Sequence, residues 1–537
     1  MFQAELAFAD LNSPVDVIGG GIFFGASSWV SPIRHRMLGT IVLESRTRVA
    51  ILSFERFADD PEGLQVETGL SEAALSSRLD ALERHLLDFA VLSFDRRRRE
   101  VRYRASPVIS VPAYLAPAAD GARIDWDYAR LLAGREAPVV WDMVFAHMAG
   151  VPTYGPATVV AGLYRATAGA TLILSPGGRI DVEAPAAIAF DGPGEVAPGA
   201  DPEGILIETV TGLLAARPLE RARTAVELSG GMDSALAALA TAAVAGPGLM
   251  SVGAQFGGAM GEAQRQRREL LRAAGGFDDL SVPAERLAPF SPSSRRRVRY
   301  GVWPEDENYP EIFEAIFAML QAAGIDSLIS GFGGDELYFA YEGEEEPAGE
   351  AGTRCPFLSP AGIAAASRAR RTYPRTWLQE SCWQSAAGQS QRLLRYGLWP
   401  VYPYLSEPLA RFVSRLPRCW RRDRRLLRRT LGRLLGSPVF ETAYVKESFD
   451  PVARRGLTEN RDYLVSLVGR SPLSGHPDVD DRAIVAALSG DIGALERDTY
   501  NVLFRTLKLF CFFQSTDPDG GDEGRDGRDP SGAGHQA

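Results

Sequence analysis

The chain has 537 residues, too many for one typical hydrophobic core, so two domains are the first expectation. Its 45% hydrophobic and 23% charged residues are those of a soluble globular protein, and a net charge of −10 argues against a general nucleic-acid binder. The opening "MFQAELAFADLN" lacks the layout of a secretory signal, no run is suited to span a bilayer, and Cys355, Cys382, Cys419 and Cys511 form no C-x-x-C pair. Together these predict a cytoplasmic protein with reduced thiols, with neither membrane nor nucleic acid as partner.

In chain order, residues 1–200 read as short β-runs broken by Gly and Pro: "VDVIGGGIFFGA", "TIVLESRTRVAILSF", "EVRYRASPVISVPAYLA" and "TLILSPGGRIDVEA". Such runs alternate and turn as antiparallel sheets do, with helices expected at "SEAALSSRLDALERHLL" and "PATVVAGLYRA". Phe190 to Gly204, rich in Gly, Pro and acid, reads as a linker. From about 201 to 515 strands alternate with longer helices: "AVEL", "LMSVGAQF" then "EAQRQRRELLRAAG", "IFEAIFAMLQAAG" then "SLIS". That order predicts an α/β domain with a parallel sheet, followed by an Arg-rich helical part. Residues 516–537, almost without apolar side chains, are expected to be disordered.

Two glycine stretches carry the chemistry. "VELSGGMDSALAALA", Val226 to Ala240, puts a glycine loop between a strand and a helix. N–H groups at a helix start lack partners and favour an anion, and Gly230 and Gly231 allow close backbone approach. Ser229 and Ser234 add hydroxyl donors, and Asp233 is suited to a hard cation such as Mg²⁺. "LISGFGGDELYF", Leu328 to Phe339, repeats the pattern at a second strand end. In an open α/β sheet both would face one pocket, so that Asp233 and Asp335 share a Mg²⁺ bridging nucleotide phosphates.

The pair S-G-G-x-D-S and S-G-x-G-G-D-E resembles the synthetase domain of the asparagine synthetase family, which includes beta-lactam synthetases and lasso-peptide cyclases. "GLWPVYPYLSEPL" (Gly397 to Leu409) is similar to that family's G-x-E-x-R-x-P-F-L-D, and "YVKESF" (Tyr444 to Phe449) to its lysine segment. "FAVLSFDRRRREVRYRASPVISVPAYL" looks like the core of an Ntn-type, glutaminase-like sandwich. The resemblance implies a first domain of that fold and a second that binds ATP and Mg²⁺, adenylates a carboxylate, releases pyrophosphate and lets an amine displace AMP. It implies that Leu228, Ser229, Gly230, Gly231, Asp233, Ser234, Ser330 and Gly331 hold ATP and pyrophosphate, that Asp233 and Asp335 hold Mg²⁺, and that Lys446 is catalytic. Lys446 and Lys508 are the only lysines in an Arg-rich chain, and an ammonium is a compact point charge where a guanidinium is a planar fork.

Two departures narrow this expectation. Relatives that hydrolyse glutamine use an N-terminal cysteine; here Phe2 stands at position 2 and the first cysteine is Cys355. Phe332 stands where asparagine synthetases carry Glu and beta-lactam synthetases Tyr, and Trp399 replaces the Glu of G-x-E. Neither can act as a base, and the two are expected to wall an aromatic substrate pocket. The expectation is a lasso-type peptide macrolactam cyclase whose substrate brings its own amine, with a precursor peptide and a leader protease as partners. Ammonia-dependent asparagine synthesis, a beta-lactam synthetase, tRNA thiolation and a non-catalytic family member are the alternatives.

"RCWRRDRRLLRRTLGRL", Arg418 to Leu434, reads as an amphipathic helix with a solvated face, or else as a site for an acidic leader peptide or phosphate. The acidic loop "YEGEEEPAGEAGTRCP" beside the second Asp motif is placed to act as a lid.

Overall fold

The computed structural model describes residues 1–85, 87–134, 138–188, 192–339, 344, 355–370, 378, 380–441, 444 and 446–514. The C-terminal tail and nearly all of the acidic loop after Phe339 therefore lie outside the described residues.

The first part is two facing seven-stranded sheets. One runs Tyr164–Arg165, Tyr114–Pro117, Gly121–Asp125, Phe2–Ala7, Ser28–Pro32, Gly21–Phe24, Val15–Ile18. The other runs Arg179–Glu183, Thr171–Ser175, Glu100–Ala105, Phe89–Asp95, Arg48–Glu55, Leu38–Ser45, Gly63–Leu70. Neighbours are antiparallel except the last pair. Alternation along Arg48–Glu55 explains its nearly continuous apolar run. Val49 and Ile51 enter the core between the sheets with Phe2, Phe24 and Leu92. Ala50, Leu52 and Phe54 point the other way, beneath Leu75 of the helix Glu72–His85. A strand covered on both faces has no polar side to show.

"PATVVAGLYRA" is not a helix. It forms the bridges Val139↔Val160 and Ala157↔Tyr164, while Gly162 turns at φ +74°. Pro156 and the β-branched Thr158, Val159 and Val160 disfavour a helix there. The helix lies earlier, at Trp141–Ala149. The expected linker is also shorter, because Asp201 caps the helix Pro202–Ala215 by accepting from the Gly204 N–H at 2.9 Å.

The second part is a five-stranded, all-parallel sheet in the order Asp278–Pro283, Met250–Gln255, Thr224–Glu227, Ser327–Ile329, Trp399–Val401. The chain builds outward from Thr224–Glu227 to one side, then returns to build the other side. Strand order thus reverses between Thr224–Glu227 and Ser327–Ile329, which opens a crevice at their carboxyl ends. The two outer strands have no clear sequence signal: Asp278–Pro283 is polar and mostly exposed, and Trp399–Val401 has Pro400 at its centre. An edge strand tolerates the missing N–H. Helices follow to Arg497–Phe512. Among the described residues no helix is long and apolar enough to cross a membrane.

The sandwich docks on the amino edge of this sheet. Asp326, one residue before its strand, takes a bidentate grip from Arg36 at 2.9–3.0 Å, and Glu55 accepts from Trp399 Nε1 at 2.9 Å and pairs with Arg217 at 2.9 Å.

Candidate functional site

Both glycine stretches leave the carboxyl ends of the central strands, side by side. After Thr224–Glu227 the chain turns through Gly230, whose φ of +87° is a left-handed conformation, and enters the helix Met232–Ala245. Three consecutive carbonyls of this turn are held from behind by one helix, Gly258–Gly275. Arg268 donates to Leu228 O, Gln264 to Ser229 O at 2.7 Å and Arg267 to Gly230 O at 2.9 Å. All three side chains are buried. The first amides of Met232–Ala245 have no intrahelical acceptor, and that of Ser234 lies against Gly331. Ser229 and Ser234 hydroxyls join at 2.9 Å, and the Gly231 N–H donates to Ser229 Oγ at 3.1 Å.

The second stretch presses against the first. A Cβ on Gly331 would stand 2.5 Å from Ser234 N, and one on Gly334 would stand 2.4 Å from Asp233 Oδ1. Glycine is required at both positions for this approach. Ser330 Oγ donates to the buried Glu227 carboxylate, which also accepts from Gln389 at 3.1 Å, so the two central strands are clasped just below the loops. Burial pushes the Glu227 pKa up, against the pull of those two donors.

Asp233 and Asp335 come together, and a guanidinium stands between them. Arg424 NH1 donates to Asp233 Oδ2 at 2.8 Å and also to Asp335 Oδ1. Lys446 Nζ lies 3.3 Å from Asp335 Oδ2, with 65% of its side chain exposed. Burial pushes the Asp233 pKa up to about 7; Arg424 pulls it down, and the Asp335 charge adds to the rise. Asp233 Oδ1 is buried with no hydrogen-bond partner.

Arg424 was not legible as a site residue. The stretch from Arg418 is not one solvated helix: it breaks at Asp423 (φ +54°) and Arg424 (φ +52°) before Arg425–Leu435 begins. Two successive non-glycine residues in the left-handed region cost on the order of 1–2 kcal/mol each. That break turns Arg424 inward to the carboxylates.

The lysine segment closes over the first loop. Tyr444 lies between the guanidiniums of Arg267 and Arg428, 4.9 and 5.3 Å from its ring centre, and its hydroxyl would be 3.8 Å from a Cβ on Gly231. Burial and the nearby Glu447 push its pKa up to about 12, so it stays a donor at neutral pH. Glu447 pairs with Arg267.

The two expected pocket walls part company. Phe332 is half-buried, 5.9 Å from the ring of Tyr402 and beside the loops. Trp399 does not line the crevice. Its register partner is Ser327, at the amino end of the neighbouring strand, and its ring is fully buried against the sandwich. Position in the motif did not reveal which end of the strand it occupies. Tyr404, five residues on and fully buried, packs under the first loop instead and donates to the Asp233 backbone O at 2.8 Å. In comparison with known proteins, the chain matches no protein-family model and no curated protein.

Proposed function

We propose that the chain is an ATP-dependent amide synthetase of the asparagine synthetase type, which adenylates a carboxylate, releases pyrophosphate and lets an amine displace AMP. One observation carries this reading. Two glycine loops converge where strand order reverses, with Asp233 and Asp335 on one cation and Lys446 beside them.

The chain's own groups suit the work. Free amides at the start of Met232–Ala245, with the Ser229 and Ser234 hydroxyls, would grip pyrophosphate. Tyr444 would donate from above, and the exposed Lys446 can swing toward charge developing on the α-phosphate or on the tetrahedral intermediate. A hard divalent cation would take the place of Arg424 on Asp233 Oδ2 and Asp335 Oδ1, since Asp233 Oδ1 is buried under Gly334; Mg²⁺ characteristically takes one or two carboxylates and completes its shell with phosphate oxygens and water. Bound there, it would neutralise phosphate charge. Arg424 competes for the same oxygens.

Phe332 offers no base, and Trp399 is remote, so the amine would arrive neutral or lose its proton elsewhere. An aromatic wall of Phe332, backed by the buried Tyr402, suits a bulky substrate, and a lasso-type peptide macrolactam is the product we favour. The sandwich would be a glutaminase-like, Ntn-type fold serving as a scaffold: Phe2 is fully buried against Tyr103, and no cysteine precedes Cys355.

The test is incubation with ATP, Mg²⁺ and candidate linear peptides. Pyrophosphate and AMP are expected, abolished by Asp233→Asn, with no glutamate released from glutamine. ADP and phosphate would overturn the mechanism. A second reading, a non-catalytic binding protein, is favoured by Arg424 spanning both carboxylates. Mg²⁺-dependent pyrophosphate release with any carboxylate would reject it.

A further inference from the structure

Beside the loops, the helices Pro202–Ala215 and Arg425–Leu435 border a cleft of about 530 Å³ lined by Glu203, Arg425, Arg428, Arg429, Arg433 and Glu441. With Asp201, which pairs with Arg433 at the rim, four guanidiniums meet three carboxylates and leave one surplus positive charge, in a chain whose net charge is −10. Such a cleft concentrates ligands of opposite sign. Three of its arginines are engaged. Arg429 pairs with Glu203 at 2.6 Å, Arg433 with Asp201 at 2.7 Å, and Arg428 donates to Asp423 O at 2.8 Å. The Arg425 side chain is exposed and makes no hydrogen bond or ion pair among the described residues. The cleft adjoins the lysine segment, because its Arg428 packs on Tyr444.

We infer that this cleft docks an acidic segment of a peptide, holding the chain beside the carboxyl group to be activated; the inference rests on the synthetase reading for that peptide's being the substrate. Its volume lies in the range of ligand pockets. The two glutamates favour a peptide over a polyphosphate or nucleic acid. A phosphodiester chain carries charge at every repeat and meets Glu203 and Glu441 as well as the arginines. A peptide can set a carboxylate on the unpaired guanidinium of Arg425 and turn backbone N–H donors to the glutamates.

The experiment is fluorescence anisotropy on the full chain without ATP. Its probe is a short Glu-rich labelled peptide, compared with the same peptide carrying Gln, a single-stranded DNA of similar length, and inorganic tripolyphosphate as competitor. The Glu peptide is expected to bind about tenfold tighter than the Gln peptide, to weaken with salt, and to lose on the order of tenfold with Arg425→Glu. Arg425→Gln should fall between, and unchanged thermal melting of both variants checks the fold. Equal binding of the two peptides, tighter binding of DNA, full displacement by tripolyphosphate, or indifference to Arg425→Glu would each overturn the inference. No turnover is read, so pyrophosphate release stands or falls separately.

Discussion

The two edges of the parallel sheet use the same strands and are built for different purposes. At the amino edge, Asp326, Glu55, Arg36 and Arg217 are nearly fully covered and mutually paired, and Trp399 is buried between the two parts of the molecule. At the carboxyl edge, Asp335 and Lys446 keep 52% and 65% of their side chains exposed. The sandwich covers the edge where strands begin and leaves open the edge where loop amides and helix starts gather. Substitutions at the first edge should read out as stability, and those at the second as chemistry.

The largest expected effect is at the covered edge. Asp326→Ala leaves Arg36 buried without its carboxylate, and the loss of stability should be about 3–5 kcal/mol in denaturant titration. Activity per folded molecule should persist; a selective loss of turnover at full stability would break the contrast. At the open edge, Lys446→Ala should lower amide formation roughly a hundred- to a thousandfold while the melting temperature hardly moves. Lys446→Arg should rescue poorly, since the guanidinium is larger and planar. Adenylate and product assayed separately show which step suffers.

A pH profile sharpens the same contrast. Burial and the charge of Glu55 push the Asp88 pKa up to about 6, against hydrogen bonds from Ser106 and Ser110. A carboxyl raised above its unfolded value of about 3.9 favours the fold when protonated. That contribution is present in full below about pH 4, is lost as pH rises through about 6, and amounts to about 3 kcal/mol. The buried Met1 amine, lowered to about 5, contributes with the opposite sign, so this slope is read as the difference between the melting curves of the native chain and of Asp88→Asn. The smallest effect is Trp399→Phe, which removes the indole donor to Glu55 while Arg217 remains. It should cost about 1–2 kcal/mol and leave substrate KM unchanged, as suits a residue outside the crevice. A shifted KM would return Trp399 to the pocket.

The helical expectation at "PATVVAGLYRA" failed because apolar spacing outweighed Pro156, Gly162 and three β-branched residues in the reading. The strand Asp278–Pro283 was missed because its exposed edge carries no apolar pattern. Ser229, Asp233, Ser330 and Asp335 were legible because each sits within a few residues of a strand end, where local glycine and helix-start rules apply. By itself the sequence thus determined the strand–loop–helix units and the residues those loops present. Only the tertiary structure decided what meets them: Gln264, Arg267 and Arg268 behind the first loop, Glu227 clasped to Ser330, and Arg424 between two aspartates. These contacts join positions between 35 and 191 residues apart. Strand order and a break in one basic helix set them, and neither has a local signature in the chain.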